Sequence, residues 1–270
     1  MFTHAVATAA QFTHPYLGLR RAAQGVSAVV AGFVVVNEEG WIVTSAHLVD
    51  EIAAREADIA AAVEVGADPA AVAHTEVWAI PGFAQTRPRV TQAYVNRAAD
   101  IAIARLEPYE PTAAAYAVPL LRDTAAEPIE QGESVCRLGF PFHGIAAGFD
   151  EARGEFEVPS GNFPVPRFAL DGIVSRFNRR TAPDGTVAVF IETSTPGLRG
   201  QSGGPLLDRE GRICGIQSHT SHLDLGFDAA YTAPDGSQVV ERQFLNVGAA
   251  SHVDEVRALL DVNGVAYTLG

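Results

Sequence analysis

The chain has 270 residues, 47% of them hydrophobic, and a formal net charge of −13 in which every basic residue is an arginine. Its length suits one large all-β or α/β domain, or two small lobes, with a sizeable core. The acidity opposes nucleic acid and anionic membrane as partners, and no apolar run approaches the roughly 18 residues of a membrane span.

Residues 1–25 lack the basic start, continuous apolar stretch and small-residue cleavage site of a secretory leader, so they read as an N-terminal extension and the expected location is cytoplasmic. From residue 26 the apolar period is short: "VSAVVAGFVVVN", a turn at "EEG" and "WIVTSAHLV" make a hairpin. "DEIAAREADIAAAVEVG" then predicts a helical insertion, with Ile52, Ile59 and Val63 on one face and Asp50 and Gly66 as start and stop. Strand patterns resume at "TEVWAI", "RVTQAYV" and "DIAIARLE", after which the Pro- and Ala-rich residues 107–128 read as a connection between lobes.

Further strands are expected at "ESVCRLGF", "GIVSRF", "TVAVFIET", "GPLLD", "RICGIQSH" and "RQFLNVG", with a long irregular loop over residues 141–167. "SHVDEVRALLDVNG" predicts a last helix with Ser251 as N-cap and Val253, Val256, Leu259 and Leu260 buried. Many short strands with Gly, Pro and Asp punctuation indicate an all-β barrel or sandwich. The divisions are an extension over 1–25, lobes over 26–118 and 119–250, and a C-terminal helix and tail over 251–270. Two cysteines, Cys136 and Cys214, are too few for a disulfide framework or a structural zinc site. Their apolar settings favour buried free thiols, with a single bridge left open.

Chemistry concentrates in "RGQSGGPLLD", where three glycines crowd Ser202. A nucleophilic serine needs an exposed hydroxyl, a base, and amides aimed at the developing oxyanion. The glycines suit that need, placing the amides of Gly200 and Ser202 in one cavity, and they also suit an ordinary turn between strands. Of eight histidines, His47 in "TSAHLV" is the candidate base, because it lies just past an apolar strand that can present it at a cleft. His4, His14, His74 and His252 read as structural, and His143 is held in reserve. Asp100, where a polar turn enters an alternating strand, is the candidate to orient the imidazole. Asp50, Asp58 and Asp68 read as caps or solvated charges of the helical insertion.

In their order, "TSAHLV", "AADIAIARLE" and "GQSGGPLL" resemble the His, Asp and Ser motifs of chymotrypsin-like serine proteases. "GFVVVNEEGWIVTSAHLV", "GIVSRF" and "FIETSTPGLRGQSGGPLLDREGRICGIQS" resemble bacterial HtrA-type enzymes more closely. The resemblance covers about residues 26–250 and implies two six-stranded antiparallel β-barrels with the triad between them, in a bacterial protein. It implies catalysis by His47, Asp100 and Ser202 through an acyl-enzyme, an oxyanion hole of Gly200 and Ser202, Ser218 holding Asp100, and substrate pairing along Gln217, Ser218 and His219. Peptide or protein is then the substrate, and a protein activator or inhibitor is a candidate partner.

Three departures qualify that reading. Gln201 stands where digestive members have the Asp that pairs with a newly cut amino terminus, so activation without zymogen cleavage is expected. Only a short tail follows Val247, so the PDZ domain that HtrA proteases append is not expected. Counting back from Ser202, the primary pocket's base falls at Thr195 and Pro196, with no carboxylate to attract a basic side chain, and a small or medium apolar residue before the cut is expected. His219, His222 and Asp224 are weighed as a metal cluster and read as a solvated edge, so neither metal nor organic cofactor is expected. A silent protease-like binding scaffold, or an esterase without peptidase activity, remains the alternative.

Overall fold

The computed structural model describes residues 1–22, 25–81, 87–110 and 117–270. Six strands arise in the first part of the chain: β1 (Thr13–Ala22), β2 (Gly25–Val35), β3 (Trp41–Ser45), β4 (His74–Trp78), β5 (Arg89–Asn96) and β6 (Ile101–Glu107). They form one antiparallel sheet in the order β4–β1–β2–β3–β6–β5. β2 alternates between solvent and core at its start and is fully buried from Ala31 to Val35, where the second lobe covers its outer face.

The second part supplies β7 (Leu120–Leu121), β8 (Ser134–Gly139), β9 (Gly148–Asp150), β10 (Glu155–Glu157), β11 (Phe168–Thr181), β12 (Val187–Thr193), β13 (Pro205–Leu207), β14 (Ile213–Thr232), β15 (Gln238–His252) and β16 (Thr268–Leu269). β13 pairs with both β8 and β14, so β8, β11, β12, β15, β14 and β13 close a ring, and β7 and β16 extend it at one edge. Closure removes the unpaired backbone that an open sheet leaves at its rims.

One apolar core joins the lobes: Val34, Val43, Ile101 and Ile103 of the first sheet meet Leu138, Val174, Leu206 and Ile216 of the second. A separate core inside the first lobe gathers Phe33, Ile42, Trp78 and Leu106. Cys136 and Cys214 are buried free thiols, and burial raises both, to about 11 and about 12.

Several elements depart from the sequence pattern. Residues assigned to an N-terminal extension contain α1 (Thr3–Ala9) and the whole of β1, which lies between β2 and β4. α2 (Ala46–Glu64) starts at the strand end, four residues before Asp50, and its buried side is confined to its first turns: Ile52 is buried, whereas Val63 is 60% exposed. The loop over 141–167 contains the β9–β10 hairpin. α3 (Val253–Val262) buries Val253, Val256 and Leu260, but its N-cap is His252, whose ring accepts the Asp254 amide; Ser251 belongs to β15. Within the connection between lobes, residues 111–116 lie outside the described segments.

Candidate active site

His47 occupies the first turn of α2, directly after β3. Ser45 stands at the N-cap position, yet its hydroxyl does not cap; it donates to the Gln217 carbonyl of the other lobe at 3.1 Å. Asp100 caps the helix instead. Its Oδ1 accepts the His47 amide at 3.0 Å and its carbonyl accepts the Ala46 amide at 3.1 Å. The same carboxylate lies 2.9 Å (Oδ2) and 3.1 Å (Oδ1) from His47 Nδ1. One aspartate therefore fixes both the backbone and the ring of His47.

Asp100 reaches this position from a turn in which its own φ is +53°, a left-handed conformation that Asp tolerates better than most residues. Its Oδ2 also accepts the Ser218 hydroxyl. Ser218 is the extra residue of a bulge in β14, where Gln217 faces Ala250 and His219 already faces Ala249. A bulge rotates one side chain out of register, and here it aims a hydroxyl at the carboxylate. His219 Nδ1 lies 2.8 Å from the Ser218 hydroxyl; because that oxygen gives its proton to Asp100, His219 is the donor to it.

Charge follows geometry. The hydrogen bond that His47 donates to Asp100 raises the His47 pKa above 6.5, burial opposes the rise, and the negative charges of Asp100, Glu51 and Asp50 add to it. Burial pushes the Asp100 carboxyl upward, but bonds to His47 and Ser218 outweigh it and hold the group below its ordinary value. His47 keeps 47% of its side-chain surface open, so the imidazole is reachable from solvent.

Ser202 comes from the second lobe on the turn Leu198–Arg199–Gly200–Gln201, closed by the Gln201 amide on the Leu198 carbonyl at 3.0 Å. Gly200, with φ +96°, sits where such a turn requires a left-handed residue, and a Cβ there would lie 2.4 Å from the Phe140 carbonyl. The amides of Gln201, Gly203 and Gly204 are all engaged, whereas no hydrogen bond among the described residues uses those of Gly200 and Ser202. Two amides of the serine turn, one of them the serine's own, are thus free. Its hydroxyl donates to the Ser218 carbonyl at 3.3 Å and not to His47.

The lobes are fastened around this point. Gly32 donates to the Ser202 carbonyl at 2.7 Å, and the Ser251 hydroxyl donates to the Ala99 carbonyl. Gln201 is fully buried; its Oε1 accepts the Leu198 amide at 2.9 Å, so the serine turn is braced by an amide side chain and not by an ion pair.

The profile of the trypsin-like peptidase domain matches residues 30–216. The chain belongs to the trypsin-like peptidase family. Among solved structures, the active form of the Rv3671c protease from M. tuberculosis is similar, with a TM-score of 0.53 and 17% identity over 98% of this chain and 86% of that one. An AlgW variant, an HtrA-type protease with a tripeptide, is similar with a TM-score of 0.51 and 18% identity over 97% of this chain. This chain spans 62% of that protease's length. Comparison with curated proteins gives no match. The two-lobed chymotrypsin-like fold expected from the motifs is borne out, and the trypsin-like peptidase is a serine endopeptidase, a hydrolase.

Among the described residues, none of the other histidine and aspartate candidates hydrogen-bonds His47 or Asp100 directly, and His219 reaches Asp100 only through Ser218. His143 Nε2 is 2.7 Å from the Pro166 carbonyl. Asp50 is bound by Arg97 at 2.7 Å, and Asp58 by Arg55 at 3.1 Å. His219, His222 and Asp224 turn to different partners: Ser218, Asn246 and Arg242. Sequence reasoning missed His219 as a partner of Ser218, and it missed Arg137. Arg137 is almost fully buried beneath the expected pocket base and donates to the Thr195 carbonyl at 2.8 Å, the Pro196 carbonyl at 2.9 Å and Thr195 Oγ1 at 3.2 Å. The charged residue inside the strand pattern of "ESVCRLGF" was the available signal.

Proposed function

We propose that this endopeptidase works through an acyl-enzyme, with Ser202 as nucleophile, His47 as general base and then general acid, and Asp100 holding the imidazole tautomer. The observation that supports this reading is that Ser218 links the two halves, its hydroxyl donating to the Asp100 that binds His47 and its carbonyl accepting the Ser202 hydroxyl, at a turn where the amides of Gly200 and Ser202 are unused. The amides of Gly200 and Ser202 stabilise the oxyanion as the Ser202 oxygen adds to the scissile carbonyl. Protonated His47 then gives its proton to the leaving amine, and water repeats the sequence to release the acid.

The hydroxyl's present acceptor fits this cycle. A substrate strand added along Gln217, Ser218 and His219 would take the Ser218 carbonyl with its own amide. Losing that acceptor, the Ser202 hydroxyl rotates about its single χ1 toward His47. Substrate binding would then itself assemble the nucleophile–base pair.

Reaction with a fluorophosphonate probe, read by peptide mass spectrometry, tests the site. Labelling confined to Ser202 and absent in Ser202→Ala is the expected result; an unlabelled protein that cleaves no casein would overturn it. Turnover of an ester with none of the matched peptide would leave esterase activity alone.

A further inference from the structure

Arg137 is 1% exposed. The other deeply buried arginine, Arg122, has Glu133 and Asp208 beside it, as a cation removed from water requires. Arg137 has only the carbonyls of Thr195 and Pro196 and one hydroxyl, and its Nε has no partner. No carboxylate pairs with it among the described residues, and the residues outside them include no Asp or Glu. Burial without a counter-ion lowers its pKa to about 10.

The guanidinium lies between two segments. The first is Thr195–Pro196, seven and six residues before Ser202. The second is Gly248 on β15, whose amide donates to the Thr195 carbonyl at 2.8 Å and where a Cβ would stand 2.5 Å from Arg137 Nη2. Gly248 is paired with Thr220, just past the strand stretch offered to substrate. Further donors gather there: Thr220 Oγ1 donates to the Gly197 carbonyl at 2.7 Å, and buried Gln217 donates through Nε2 to the His219 carbonyl at 2.9 Å. Both are neutral groups that can turn to another acceptor.

We propose that this uncompensated guanidinium sets the cleavage specificity, so that the peptidase cuts after aspartate or glutamate. An apolar side chain in the pocket would leave the buried cation as it is, and a basic one would meet like charge. A carboxylate would supply the missing counter-charge, with Gln217 and Thr220 as added donors. This replaces the apolar preference expected from Thr195 and Pro196 alone, and it rests on the reading of Ser202 as nucleophile.

Peptides that differ only in the residue before the cut (Glu, Asp, Gln, Leu, Arg) test it. Glu or Asp should exceed Gln in kcat/KM by about 10-fold or more. In Arg137→Met the ratio should fall to about one, and Arg137→Lys should retain part of it. Equal rates for Glu and Gln in the native enzyme, or a ratio that survives in Arg137→Met, would overturn the proposal. If Arg137→Met fails to fold, the native ratio and Arg137→Lys decide the matter. Labelling of Ser202 without an acidic preference sinks this inference alone; absence of both labelling and cleavage sinks the reading of Ser202 and this inference with it.

Discussion

Glycines of the serine turn and of the β14–β15 hairpin tip share a left-handed backbone but have opposite surroundings. At Gly203, φ is +78° and a Cβ would stand 2.1 Å from the Gly32 carbonyl and 2.3 Å from Thr44 Oγ1; at Gly236, φ is +86° and nothing lies within 4 Å. Both residues satisfy turn chirality. Only Gly203 also lets the two lobes close against each other, which is what sets Ser202 beside the His47–Asp100 pair. The hairpin tip is local structure, whereas the serine turn is shaped by the partner lobe.

The sharpest way to probe that difference is chemical. Asp100→Asn should keep the fold and lower kcat by about 10⁴-fold, since an amide cannot hold the required imidazole tautomer. Steady-state kinetics beside a circular-dichroism spectrum will check this. Gly203→Ala comes next. Overpacking of about 1–3 kcal/mol adds to a left-handed penalty of about 1–2 kcal/mol, so Ser202 labelling should be lost along with much of the thermal stability. A native melting temperature and normal labelling would mean that the lobe junction yields more easily than its contacts imply.

Ser218→Ala tests the bulge. It removes one hydrogen bond to a charged group, worth about 1.5–3 kcal/mol, so kcat should fall about 10- to 100-fold while KM changes little. Ser218→Thr should recover part of the loss. A smaller signature lies in the pH profile. The raised His47 pKa means the inactive imidazolium persists above pH 6.5, so kcat/KM should rise with pH to a midpoint above that value. A midpoint below 6.5 would show that Asp100, Glu51 and Asp50 do not act on the ring in solution. Gly236→Ala, the control at the tip, should cost about 1–2 kcal/mol in urea melts and leave kcat/KM unchanged.

Much of the candidate site could be read before any contact was known, because the proposed chemistry restricts it to few residue types. A Ser among glycines, a His after an apolar strand and an Asp at a strand entrance are each local patterns, and their order added the fold. Strands with clear alternation were legible too. β1 was not: "THPYLGLRRA" has no clean period, and its place between β2 and β4 depends on residues distant in sequence. The start of α2 was misplaced because Asp50 looks like a cap, whereas the true cap comes from Asp100, 53 residues from His47.

By itself, the sequence determined the fold class, the family and the candidate triad, since periodicity, turn chirality and short motifs are encoded by neighbouring residues. Tertiary structure alone decided how these residues act on one another. The bulge turns Ser218 onto Asp100, the Ser202 hydroxyl rests on the Ser218 carbonyl, and Arg137 bonds Thr195 and Pro196 without a counter-ion. Hydrogen bonding and the cost of burying charge depend on distances between segments far apart along the chain, which no local pattern specifies.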